Sequence, residues 1–114
     1  MLLSRLRSDS HVTPIAGQPM PRVVNFGSAG SHKLATGTVV GCHRFVQRDM
    51  DVSALGFALG ATPYEAVPER LEFELAFTGL PDAVCGSGDS FATGRGGVDC
   101  DVLDMEAYAL AKVC

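Results

Sequence analysis

Asp82-Ala83-Val84-Cys85-Gly86-Ser87-Gly88-Asp89-Ser90-Phe91 is the stretch whose reading decides the fold. Its first four residues form a short strand-prone run, and the run ends in a glycine-rich turn. The same handover occurs twice more. Arg22-Val23-Val24-Asn25-Phe26 delivers Gly27-Ser28-Ala29-Gly30, and Cys100-Asp101-Val102-Leu103 leads into Asp104-Met105-Glu106-Ala107. Three strands that each give way to a small-residue turn or a helix predict an α/β layer structure. In open α/β sheets such turns, at the carboxyl ends of strands, are where ligands bind.

Working outward, residues 38–46 are the strongest strand candidate, rich in valine, with Gly41 as a possible bulge. Leu71-Glu72-Phe73-Glu74-Leu75 alternates with period two, as a half-buried strand does, but also allows a helical turn after Pro68. Residues 54–60 form an apolar patch bounded by glycine and Pro63. It reads either as a short core helix or as a loop whose apolar side chains cover something outside the chain, such as a partner subunit. Met105, Ala109, Leu110 and Val113 recur at helical spacing, which predicts a helix from Met105 to the last residue. That pattern is still running at Cys114, with no C-cap glycine, as expected of a truncated domain. Residues 1–21 contain Pro14, Pro19 and Pro21 and no sustained period, which predicts an irregular lead-in to a domain over residues 22–114.

With 114 residues, 46% hydrophobic and 19% charged, the chain has the composition of one globular domain. A net charge of −4 and nine scattered Lys and Arg argue against a nucleic-acid partner. No run approaches the ~20 apolar residues of a membrane span, and no signal peptide is evident. Cys42, Cys85, Cys100 and Cys114 are widely spaced, without metal-ligand or disulfide patterning. A reduced, cytoplasmic protein without a metal or cofactor is therefore expected. His11 and His32 fall in segments that read as loops. Around Gly86, the combination of glycines, Phe91 and the Glu106 carboxylate suits a nucleoside. Backbone amides can approach it, a base can stack on the ring, and a carboxylate can accept two ribose hydroxyls.

Four ordered blocks carry a resemblance: Asn25-Phe26-Gly27-Ser28-Ala29-Gly30; Arg48-Asp49-Met50-Asp51-Val52 with Gly56 and Pro63; Ser87-Gly88-Asp89-Ser90-Phe91; and Asp104-Met105-Glu106-Ala107 running to Cys114. Together they resemble the purine nucleoside phosphorylase and hydrolase family, and within it the 5′-methylthioadenosine/S-adenosylhomocysteine nucleosidases. The resemblance covers residues 22–114, about half of a family member. It implies a three-layer α/β/α sandwich around a twisted mixed sheet, here cut at both ends, in a homodimer that hydrolyses the N-ribosidic bond of a 5′-thio-substituted adenine nucleoside. No cofactor is implied.

Residue by residue, Glu106 matches the carboxylate on the ribose hydroxyls, Met105 the residue packed on the ribose, and Phe91 the aromatic on the adenine. Ala92 matches a position where backbone groups read the base edge. Ser28, Ala29 and Gly30 match the turn lining the sugar and the attacking water. Leu55 and Pro63 match positions that reach across the dimer to the 5′-substituent. Read without the resemblance, Phe91 and Met105 also suit a core, and Glu106 a helix start. The family's water-activating glutamate lies in a segment that residues 1–21 do not reproduce, and its general-acid aspartate lies beyond the final helix. The resemblance thus implies that these 114 residues alone are a poor enzyme. A phosphorylase would need a cation at the anomeric face, for which Arg44 and Arg48 are the internal candidates. A non-catalytic nucleoside-binding or dimerising remnant is the third possibility.

Overall fold

The strand-prone runs pair into one open sheet. A computed structural model describes residues 2–7, 16, 17, 19, 22–90 and 97–114. In it β1 (Leu2–Arg7), β2 (Arg22–Gly27), β3 (Val40–Gln47), β4 (Arg70–Glu72), β5 (Asp82–Ser87) and β6 (Val102–Asp104) form a mixed sheet, and α1 (Ala107–Val113) packs on it. The order is β2-β1-β3-β5-β6, with β4 pairing the second half of β3. β1, β3, β5 and β6 run parallel, whereas β2 is antiparallel to β1 and β4 to β3. This is an α/β-type fold, as the three handovers predict.

β3 and β5 are the centre. Every residue of β5 after Asp82 is buried, as expected of a strand covered on both faces. On β3, Val40, Cys42 and Phe45 share the core with Ala83, Cys85 and Val102 and with Ala107, Tyr108 and Ala111 of α1. The step from Cys42 to Phe45 is three residues because the register against β5 shifts between Cys42 and Arg44. The irregularity therefore falls at His43 and not at Gly41. Gly41 answers a different need, since a Cβ there would lie 3.3 Å from the Cβ of Phe77.

Three other expectations change. Residues 2–7 are not an irregular lead-in: they pair in register with β2 from Leu2↔Gly27 to Arg7↔Arg22 and also border β3. The final helix starts at Ala107, two residues later than expected, and the face it buries is Ala107, Tyr108 and Ala111. Small residues allow the short helix to lie close on β3 and β5, so Leu110 and Val113 turn outward. The apolar patch forms no core helix. Ser53–Leu55 is a single 3₁₀ turn closed by Gly56 at φ 87°, and Phe57 stacks edge-on against Tyr64 at 5.4 Å. Among the described residues, no helix is long and apolar enough to cross a membrane.

Candidate functional site

The parallel strands end level with one another. The register places Gln47 beside Ser87 and Ser87 beside Asp104, so the segments that follow these residues meet at one edge of the sheet. There they surround a pocket of about 590 Å³. One wall is Ser28, Ala29, Gly30, Ser31 and His32. The other is Leu103, Asp104, Met105 and Glu106, with Arg48 and Ser90 between.

The first wall is held by the second. The Gly30 N–H donates to the Leu103 carbonyl at 2.9 Å, and the Leu103 N–H returns a bond to Gly30 at 2.8 Å. The Ser31 hydroxyl donates to the Asp101 carbonyl (2.7 Å) and accepts from the backbone N–H groups of Lys33 (3.0 Å) and Leu34 (2.9 Å). Lys33 then reaches Asp99 at 2.8 Å and Asp101 at 3.0 Å. Those two carboxylates raise the Lys33 pKa. The Asp101 carboxyl is held below its usual range, first by the Val84 N–H that donates to it at 2.8 Å and then by Lys33.

Asp104 and Glu106, two residues apart, differ in kind. Asp104 Oδ1 accepts from the Ser87 hydroxyl and from the Cys85 thiol, and Oδ2 accepts from the N–H groups of Ala107 (2.7 Å) and Glu106 (3.3 Å). The Ser87 oxygen in turn accepts from the Tyr108 N–H at 2.8 Å. Asp104 thus satisfies the first amides of α1 and uses all four of its acceptor positions. The neighbouring Cys42 thiol, burial and the Asp104 charge all push the Cys85 thiol far upward, so it stays neutral. Glu106, by contrast, is exposed, and its carboxylate has no partner among the described residues. It is available to hydroxyl donors in the pocket.

The structure therefore brings Ser28, Ala29, Gly30, Met105 and Glu106 into one cavity. Phe91 and Ala92 lie outside the described residues. Leu55 and Pro63 do not line the pocket, and Leu55 is 73% exposed. Of the two arginines, Arg48 lines the pocket, while Arg44 pairs with Asp82 at 2.5 Å, at the start of β5 and the opposite end of the sheet. Nη2 of Arg48 donates to the carbonyls of Gly88 and Ser90. Sequence reasoning missed Ser31 and His32 as lining residues. The signal was their position directly after Gly30, within reach of any ligand that the turn touches.

The Gly86-Ser87-Gly88 run also differs from expectation, since Gly86 and Ser87 are the last two residues of β5 and not a turn. A Cβ on Gly86 would lie 2.5 Å from the Cys100 sulfur, and one on Gly88 would lie 2.6 Å from the Asp49 carboxylate. Asp49 itself accepts from the Asp89 N–H at 2.7 Å. These glycines admit the protein's own side chains rather than a ligand. Among the described residues, no group of three or more His, Cys, Asp or Glu side chains is arranged to hold a metal. No protein-family model matches this chain, and no characterised protein matches it either.

Proposed function

We propose that the pocket binds an adenine-type nucleoside and that the protein is a nucleosidase hydrolysing its N-ribosidic bond, with 5′-methylthioadenosine and S-adenosylhomocysteine as the substrate class. One observation carries this reading. The turn Ser28-Ala29-Gly30 and the pair Met105-Glu106, assigned to one sugar site although they are far apart in the chain, line the same cavity. Its volume, about 590 Å³, suits a ligand of nucleoside size. The Glu106 carboxylate accepts the ribose hydroxyls and Met105 covers the sugar, while the base falls to Phe91 and Ala92 on the resemblance alone. As the glycosidic bond breaks, positive charge grows on the sugar, and a carboxylate beside it gains strength in the transition state.

The three-layer α/β/α sandwich and the homodimer belong to the same proposal. The exposed Leu55, with Pro63, would then reach the 5′-substituent of a partner's site. Arg48 in the pocket wall favours one second reading, a phosphorylase in which phosphate replaces water. Turnover that requires phosphate would select it.

The test is binding and adenine release with methylthioadenosine in phosphate-free buffer, comparing the chain with Glu106→Ala. A charged acceptor contributes about 1.5–3 kcal/mol per hydrogen bond, so the variant should bind about 10- to 100-fold more weakly. Its unfolding should be unchanged, because Glu106 is exposed. Equal binding by both proteins removes Glu106 from the site.

A further inference from the structure

We propose that His32 is the general base of this pocket, taking the proton from the water that attacks the sugar; the inference rests on the nucleoside reading above. His32 lines the pocket on the turn assigned to the sugar and the water, and it is solvent-exposed. Its side chain has no hydrogen-bond partner among the described residues. Its backbone, however, is pinned on both sides. Ser31 makes three hydrogen bonds through its hydroxyl, and Lys33 is tied to both Asp99 and Asp101. An imidazole on a fixed stretch of chain, open to the cavity, is placed to act on what enters it.

The other lining groups are committed or unsuited. Asp104 has all four acceptor positions filled by Ser87, Cys85 and the first amides of α1. Glu106 is taken by the ribose in the proposed complex. Arg48 is a permanent cation without a lone pair to offer, and serine hydroxyls are not bases near neutral pH. Imidazole is the side chain that exchanges a proton there. The charged groups facing it are Glu106 and Asp104 from the β6–α1 junction and Arg48 from the end of β3. Lys33, with its partners Asp99 and Asp101, does not line the pocket.

The step balances as follows. The oxygen of water bonds to the anomeric carbon as the bond from that carbon to the base nitrogen breaks, and the bonding pair leaves with the base. The proton from water passes to a ring nitrogen of His32 and then to solvent, and the departing base takes up a proton from solvent.

The experiment uses the full chain, His32→Gln and Glu106→Ala. Adenine release from methylthioadenosine is followed from pH 5 to 8, and affinity is measured with a carbon-linked adenosine analogue that cannot be cleaved. His32→Gln should bind the analogue within about threefold of the original chain but release adenine about 100-fold more slowly. The original chain should gain rate as pH rises from 5 to 8, and the variant should lose that rise. The proposal is overturned if the variant keeps the rate and its pH dependence, or if the original chain releases no adenine above buffer. When the first result accompanies analogue binding that weakens in Glu106→Ala, only the His32 assignment fails; when the second does, hydrolysis fails with it and nucleoside binding stands. If the analogue does not bind the original chain, the nucleoside reading fails with it.

Discussion

Two glycine-containing segments flank β6, Gly86 pairing with Leu103 on one side and Gly30 bridging to it on the other, and they serve opposite purposes. At Gly86 and Gly88 the space a Cβ would need is already filled by Cys100, Arg48 and Asp49. At Gly30 the nearest atoms to such a Cβ are those of Leu103, 4.0 Å away, and the turn borders the cavity. The richer glycine run is thus a packing device, and the plainer one is the wall of the site. A glycine marks a close approach of backbone to something, and only the surrounding structure says whether that is ligand or protein.

The comparison breaks most easily at Gly86. Gly86→Ala should destabilise the chain by about 3 kcal/mol, because the added methyl meets the Cβ atoms of Cys100 and Arg48, which move only with their backbone. Gly30→Ala should stay within about 0.5 kcal/mol. Urea unfolding of both variants checks this, and equal losses would erase the distinction between the two segments.

A smaller effect separates the neighbouring carboxylates Asp104 and Glu106. Asp104→Ala removes the acceptor for the Glu106 and Ala107 amides at the start of α1 and strands the Ser87 hydroxyl, so a loss of about 2 kcal/mol is expected. Glu106→Ala should cost almost nothing in the same urea titration while weakening nucleoside binding. If Asp104→Ala unfolds like the unaltered chain, Asp104 does not hold the start of α1, and its claim as a free base in the pocket reopens.

These contrasts also mark how far the sequence could be read. The strand-to-turn handovers were legible because apolar runs and small-residue turns are local signals, but β2 runs antiparallel to its neighbour, so it is the pairing of Gly30 with Leu103 that brings residues 28–30 to residues 105–106. The irregularity in β3 was not, since Gly41 and His43 look alike as interruptions and only the register against β5 selects His43. The buried face of α1 was misread for a related reason. Met105, Leu110 and Val113 have the apolar spacing, but the nearness of the sheet favours Ala107 and Ala111. β1 escaped notice because Leu2-Leu3-Ser4-Arg5-Leu6-Arg7 lacks alternation and is recruited by β2 and β3 rather than by its own pattern. His32 was legible only as a loop residue, because what it faces is set by Gly30 clamping to Leu103, a contact across some seventy residues.

The smallest effect concerns what pins the wall that carries His32. Asp101 accepts from the Val84 N–H and from Lys33, and both favour its ionised form, so its pKa is lower in the folded chain than in the unfolded one. A depressed carboxyl pKa contributes stability that is complete above the unfolded value, near 4, and is lost as pH falls through the folded one. The contribution is modest, a few tenths of a kcal/mol, because Asp101 is largely solvated and water screens the pair. Asp101→Asn keeps an acceptor for Val84 but carries no charge at any pH. The unaltered chain should therefore be slightly the more stable of the two at pH 7, and the gap should close as the solution is acidified below about pH 4. A gap that stays constant down to pH 3 would mean that the shape of Asp101, not its charge, holds the turn, and that the anchoring of His32 is indifferent to acid.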